Sequence, residues 1–365
     1  MDWESMKAFS YAIALLLTFQ LTVNGYAAPA NPFGDNWASS PMEPAFSLPD
    51  YIVWGGSVIR ADNGRYYMFA ARWPKKTAMA SWVTAADVVL AVADKPAGPY
   101  RLVNVVLPPR GKDYWDGRAT FNPTIRRYDG KYVLFYTGTT YDFEPSTTHR
   151  PSQDQWEKAW NNKRIGVAVS DSVMGPWKRS DHPILEPREG KWDTSITSNP
   201  APTLHDDGSV LLIYKSSPLK FPEQKIKNEL ILGVAKAAHY LGPYERLNEE
   251  SQIMIEGKRS HVEDPYVWFD GERYNMLVKS MDGKIPVGWG SGFVAHSSDG
   301  LNWKLADPPL AYTGRVERID GSILRAARFE RPQILFDNGI PTHVFFACMA
   351  RDGIYNVVRP LKKEK

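Results

Sequence analysis

The chain is nearly without cysteine: one, Cys348, in 365 residues. A lone thiol excludes an intrachain disulfide framework, so an ordinary apolar core has to hold the fold. Cys348 lies in the apolar run of residues 344–349, which reads as a core thiol rather than a nucleophile. An excess of one charge is also missing. Lys and Arg number 44 against 41 Asp and Glu, a formal net charge of +3. No basic cluster with interleaved aromatics occurs, which excludes nucleic acid as the expected partner. The 7 histidines nowhere stand at metal-ligand spacing from one another or from Glu, so no metal or other cofactor is expected.

Long apolar runs are absent except at the N-terminus. There Lys7 precedes the mostly apolar residues 8–23, and Gly25-Tyr26-Ala27 supplies small residues at a cleavage site. This pattern predicts a signal peptide over residues 1–27, a secreted or periplasmic protein, and no stable membrane insertion after cleavage. A single membrane anchor is the alternative. No later stretch has the length to span a bilayer as a helix.

What the chain has instead is turn formers and aromatics: 27 Gly, 28 Pro and 13 Trp, with 13% aromatic residues. These suit short strands and tight turns. One phrase occurs twice, Trp115-Asp116 leading to Asn122-Pro123 and Trp192-Asp193 leading to Asn199-Pro200. Each copy runs into an apolar strand, a Gly turn and a second strand. The hairpin pattern recurs five times, through Asp62-Asn63-Gly64, Asp129-Gly130, Asp207-Gly208, Asp270-Gly271 and Asp337-Asn338-Gly339. A third strand follows and ends in Gly98-Pro99-Tyr100, Gly175-Pro176-Trp177, Gly242-Pro243-Tyr244 and the related Gly300-Leu301-Asn302-Trp303. Units of this size, repeated radially, predict an all-β fold, a single five-bladed β-propeller of four-stranded antiparallel blades. The propeller is expected over residues 45–365, after an extension at 28–44. A strand within about residues 37–48 is expected to close the ring.

Inner strands of a propeller line a central channel, and their starts crowd around one mouth. Counting back from the second strands places Gly56, Asn122, Asn199, Asp264 and Arg331 at those starts, with Asp50, Asp116 and Asp193 six residues earlier in the first three blades. Carboxylates, amides and one Arg thus aim at a shared cavity. Glu330 and Arg331 open the fifth blade; the Arg fork suits a sugar carboxylate, a sulfate or ring hydroxyls, or pairs with a channel carboxylate. Trp54, Trp73, Trp115 and Trp192 are candidate sugar-stacking rings, with packing between blades as the alternative. His261 is a candidate for acid–base work or a structural residue. A structural cation in the channel stays open. The Trp-bearing loop 141–162 reads as a lid or specificity loop. Because Asp116 and Asp193 are copied between blades, turn capping competes with catalysis for both.

The five blades, the third strand ending Ser170-Asp171 and Gly175-Pro176-Trp177, and Glu263 shortly before Pro265 resemble glycoside hydrolase family 43. That family sits in a wider five-bladed group with families 32, 68, 117 and 130. The resemblance spans roughly residues 45–360. It implies a general base ahead of the first inner strand, a helper Asp in the third blade and a general acid Glu in the fourth. The acid role falls on Glu263. Blade one departs, with Gly56-Ser57 where Asp-Pro belongs, and blade three carries Asn199. Asp50 or Asp116 is then the expected base and Asp193 the helper. Asn122, Asn199, Asp264, Glu330, Arg331, Trp54, Trp115 and His261 are the expected substrate-binding residues. The function this implies is a secreted glycosidase that cleaves terminal sugars from plant or algal poly- or oligosaccharides with inversion. Two alternatives stay open: a non-catalytic carbohydrate-binding propeller, and a phosphorylase or transferase on the same scaffold.

Overall fold

The computed structural model describes residues 31–223 and 230–362. The expected signal peptide lies outside them. Five sheets follow one another along the chain, one per predicted blade, antiparallel and four-stranded except in blade four, where Met254–Ile255 adds a fifth strand paired parallel to Asn302–Tyr312. Their inner strands are Tyr51–Arg60, Ala119–Tyr128, Ser198–Leu204, Val262–Phe269 and Ile323–Asp337. Each inner strand touches the next, and the fifth touches the first, so the ring is closed. The predicted five-bladed propeller is the fold.

Local sequence explains the hairpins. Asp129 and Gly130 take φ of 48° and 72°, the left-handed pair that a two-residue type I′ turn requires. Tyr128 and Lys131 then face each other across the turn. The strands read as apolar runs because both faces of a blade are covered. One buried cluster joins Phe69 and Leu90 of blade one to Ile125 and Leu134 of blade two. Others wedge blade two against three, three against four, four against five, and five against one. Each fully buried Leu or Phe contributes roughly 1.5–3 kcal/mol. Cys348 belongs to the wedge between blades four and five, where burial pushes its thiol up to about 12.

Ring closure departs in detail from the expected strand. Residues 37–46 do run beside Gly353–Pro360, the outermost regular strand of blade five. They pair only by isolated bridges, Trp37 with Leu361 and Phe46 with Asn356. Pro41 and Pro44 lack the N–H that a continuous ladder needs. Among the described residues no helix is long and apolar enough to cross a membrane.

Candidate active site

Every inner strand carries a bulge at one level. Gly55-Gly56, Asn122-Pro123, Asn199-Pro200, Asp264-Pro265 and Arg331-Pro332 each oppose a single residue of the second strand. The first residue of each pair is left-handed, with φ of 66°, 53°, 52°, 57° and 56° in blade order. A bulge re-aims the side chain it carries, and Asn and Asp accept this backbone through their short polar side chains. The blade-one member is therefore Gly55 and not Gly56, because its hairpin loop over residues 61–65 runs one residue longer than the count allowed.

The re-aimed side chains meet across the channel. Asn122 Nδ2 donates to Asn199 Oδ1 at 2.8 Å, and Asn199 Nδ2 donates to Asp264 Oδ1 at 2.7 Å. Arg331 Nη1 lies 3.5 Å from the same Asp264 oxygen. Gly55 faces that arginine: a Cβ there would sit 3.5 Å from Arg331 Cγ, an ordinary contact, so the φ of 66° rather than lack of space favours glycine. Burial alone would raise the Asp264 carboxyl. Arg331, Lys215 and Lys279 outweigh it and hold Asp264 below the usual carboxylate range. Gly55→Val adds a β-branched side chain at positive φ against Arg331. It is expected to cost about 1–3 kcal/mol, with Gly55→Asn milder, as thermal denaturation would show.

Over this ring lies a cavity of ≈ 610 Å³. The residues just before the left-handed ones form its inner wall: Trp54, Phe121, Glu263 and Glu330. Two lysines stand beside the glutamates. Lys215, on the second strand of blade three, places Nζ 3.5 Å from Glu263 Oε1, and Lys279, one blade on, donates to Glu330 Oε1 at 2.7 Å. Burial pushes the Glu330 carboxyl above its ordinary range; Lys279 pulls it down, and the charges of Asp264 and Glu263 add to the rise.

An aromatic wall completes the cavity. The expected lid, residues 141–162, contains the helix Gln153–Asn161, opened by a Ser152–Gln155 capping box. The box satisfies two amide groups that the helix start leaves open. Trp156 and Trp160 stack on that helix with ring centroids 4.8 Å apart, and Trp160 faces the cavity with Trp82. Behind Trp160, Lys163 is fully buried with Nζ 3.0 Å from the ring centroid. Burial drives that ammonium well below the usual lysine range, and Lys215 adds to the effect. At the rim stands Trp289, 68% exposed, between Gly288 and Gly290.

Of the residues singled out from sequence, Trp54, Trp73, Asn122, Asn199, His261, Glu263, Asp264, Glu330 and Arg331 all line this cavity. His261 also donates its backbone N–H to Asp282 at 2.8 Å. Asp116 and Asp193 do not reach it. Asp116 is fully buried between Arg110, Arg179 and Tyr136. Asp193 is equally buried between Arg188, Arg246 and Tyr214. The paired tryptophans belong to the same module. Trp115 stacks on Tyr136 and presses on Gly166, while Trp192 stacks on Tyr214 and presses on Gly233. The twice-used Trp-Asp phrase is thus a brace at the blade entry, which removes Asp116, Asp193, Trp115 and Trp192 from the site. Asp50 is corrected as well: it is exposed in a turn where its carbonyl accepts the Lys75 N–H, and it does not line the cavity.

Sequence reasoning missed Lys215, Lys279, Trp82, Trp160 and Trp289. A signal existed for the lysines. Both close an apolar second strand as Lys-Ser, at residues 215–216 and 279–280, and a repeated lysine inside a buried strand needs a partner.

No family model matches the chain. One curated relative, a probable arabinan endo-1,5-α-L-arabinosidase C of Aspergillus fumigatus, is 25% identical over 176 residues. The match takes in 48% of this chain and 40% of that protein, so the chain spans well under half the relative's length. Solved structures match far more of it. A family 117 glycoside hydrolase from the marine bacterium Zobellia galactanivorans superposes with a TM-score of 0.59 at 18% identity, over 89% of each chain. An endo-arabinase from Bacteroides thetaiotaomicron superposes with a TM-score of 0.54 at 14% identity, over 90% of this chain and 99% of that one. At such identities the likeness is one of fold.

Proposed function

We propose that this protein is an exported glycoside hydrolase that takes the end of a plant or algal saccharide chain. One observation carries the reading: Glu263 and Glu330 stand in a tryptophan-walled cavity whose floor is the hydrogen-bonded ring of Asn122, Asn199, Asp264 and Arg331. A floored pocket accepts a chain end, whereas a through-cleft accepts a chain middle. Glycoside cleavage needs two carboxyl groups across the bond, and Glu263 is assigned the acid role. The ring offers amide and guanidinium donors to sugar hydroxyls. Likeness to proteins named for arabinan hydrolysis supports a pentose-containing substrate. Inversion follows the family 43 resemblance, and export the N-terminal residues 7–27.

The test is a screen of purified protein against arabinosides, xylosides and algal oligosaccharides, with Glu263→Gln beside it. Release of a single sugar by the parent and its loss in the variant support the reading. Binding without turnover in both makes the chain a carbohydrate-binding propeller. Phosphorolysis is the second reading, because Lys215, Lys279, Arg328 and Arg331 all line the cavity. It requires sugar release that depends on added phosphate.

Trp289 supplies a further check. With a sugar face on its exposed ring, stacking contributes on the order of 1 kcal/mol. Trp289→Ala is then expected to raise KM roughly five-fold at unchanged kcat and unchanged melting temperature.

A further inference from the structure

The family pattern puts its second carboxylate on the first blade, where this chain has Gly55. Among the described residues the cavity wall carries four carboxyl groups, Glu263, Asp264, Asp282 and Glu330. Two of them are committed elsewhere. Asp264 accepts from Asn199 and pairs with Arg331. Asp282 accepts the backbone N–H groups of His261 and Lys284.

We propose that the second catalytic carboxylate has moved to the fifth blade, where Glu330 acts as the base to the Glu263 acid. The two residues hold one structural position in adjacent blades, each directly before the left-handed residue of the bulge. Lys279 ties them together. It is the cross-strand partner of Glu263 in blade four, and its Nζ donates to Glu330 Oε1 at 2.7 Å. That contact favours the ionised form of Glu330 and orients it, which leaves Oε2 as the oxygen assigned to water. Burial meanwhile raises the carboxyl, Lys279 opposing, the direction that strengthens a general base.

The inference rests on the glycosidase reading, and the step it describes is a hydrolysis. Glu263 gives its proton to the glycosidic oxygen as the bond to the anomeric carbon breaks, and the bond pair stays on that oxygen. A water oxygen forms the new bond to the anomeric carbon from the opposite face, and Glu330 takes the proton that water loses. Exchange with solvent then returns a proton to Glu263 and removes one from Glu330.

The experiment compares the full chain with Glu330→Gln, Glu330→Asp and Glu330→Ala on the glycoside that the parent cleaves. Circular dichroism and melting temperature are recorded for each. Glu330→Gln is expected to lose about 10²–10⁴-fold in kcat with KM little changed, and the fall of kcat/KM toward acidic pH, which protonation of the base produces, should disappear. Glu330→Asp keeps the charge beside Lys279 but withdraws it from the water, and should fall between the two. Formate or azide added to Glu330→Ala should restore part of the rate. If a folded Glu330→Gln keeps its rate and pH profile while Glu263→Gln loses turnover, Glu330 is only the ion-pair partner of Lys279 and the pairing is overturned. Should Gln and Ala unfold, full activity in Glu330→Asp overturns it equally. A parent inert on every glycoside sinks the glycosidase reading and the pair with it.

Discussion

Glu263→Gln is expected to lower kcat about 10²–10⁴-fold while KM changes little and the fold survives. The swap is nearly isosteric and removes only the ability to give and retake a proton. The side chain is partly exposed, at 16%, and its ion pair with Lys215 is a loose 3.5 Å, so little structure depends on its charge. Loss of kcat at steady KM marks an interaction made only in the transition state. A substrate whose leaving group is already acidic, such as a nitrophenyl glycoside, should lose much less, because its departing oxygen needs no proton. An equal loss on both substrates would argue against the acid role and leave Glu263 as a binding residue. Initial rates on the two substrates, with stability measured beside them, decide the matter.

Asp193→Ala is expected to act in the opposite way, on stability and not on chemistry. Its carboxylate has no solvent exposure and accepts from Arg188 Nε at 2.9 Å, Arg246 Nε at 2.8 Å and the Tyr214 hydroxyl at 2.8 Å. Removing one partner of a buried ion pair costs about 3–5 kcal/mol, because the charges left behind lose their compensation. The low end applies here, since Arg188 and Arg246 keep 21% and 12% of their side-chain surface and relax toward water. A cost near 3 kcal/mol is a large share of the stability of most domains. Denaturant unfolding should show a lower midpoint, while the protein that remains folded keeps its kcat. Asp116→Ala should behave alike, given its matching contacts with Arg110, Arg179 and Tyr136. If Asp193→Ala instead leaves stability unchanged and abolishes turnover, the brace assignment is wrong.

The contrast between Glu263 and Asp193 locates the limit of sequence reading in this protein. Both are carboxylates near the start of an inner strand. Asp193 belongs to a Trp-Asp phrase copied between blades two and three, whereas Glu263 belongs to no copied phrase. Repetition marks what every blade needs, and a blade needs a brace: a Trp over Gly166 or Gly233, and an Asp that gathers two arginines and a tyrosine. Asp264 and Arg331 stood out because they replace the Asn of the repeated Asn-Pro, and Glu263 and Glu330 because they directly precede those two departures. The lysines stayed hidden because a lysine within a strand usually lies on a solvated face. Only the neighbouring blade turns Lys215 and Lys279 inward, toward glutamates that lie 48 and 51 positions further along the chain.

Sequence alone determined the blade count, the hairpins and, in four of the five blades, the level at which the channel side chains enter, because turns, apolar runs and the Pro after four of the five left-handed residues act over a few neighbours. Tertiary structure decided which carboxylates share a cavity. That depends on how five wedges close into a ring. Closure puts Arg331 over the empty place at Gly55, joins Asn122, Asn199 and Asp264 across the channel, and brings Lys279 of one blade onto Glu330 of the next.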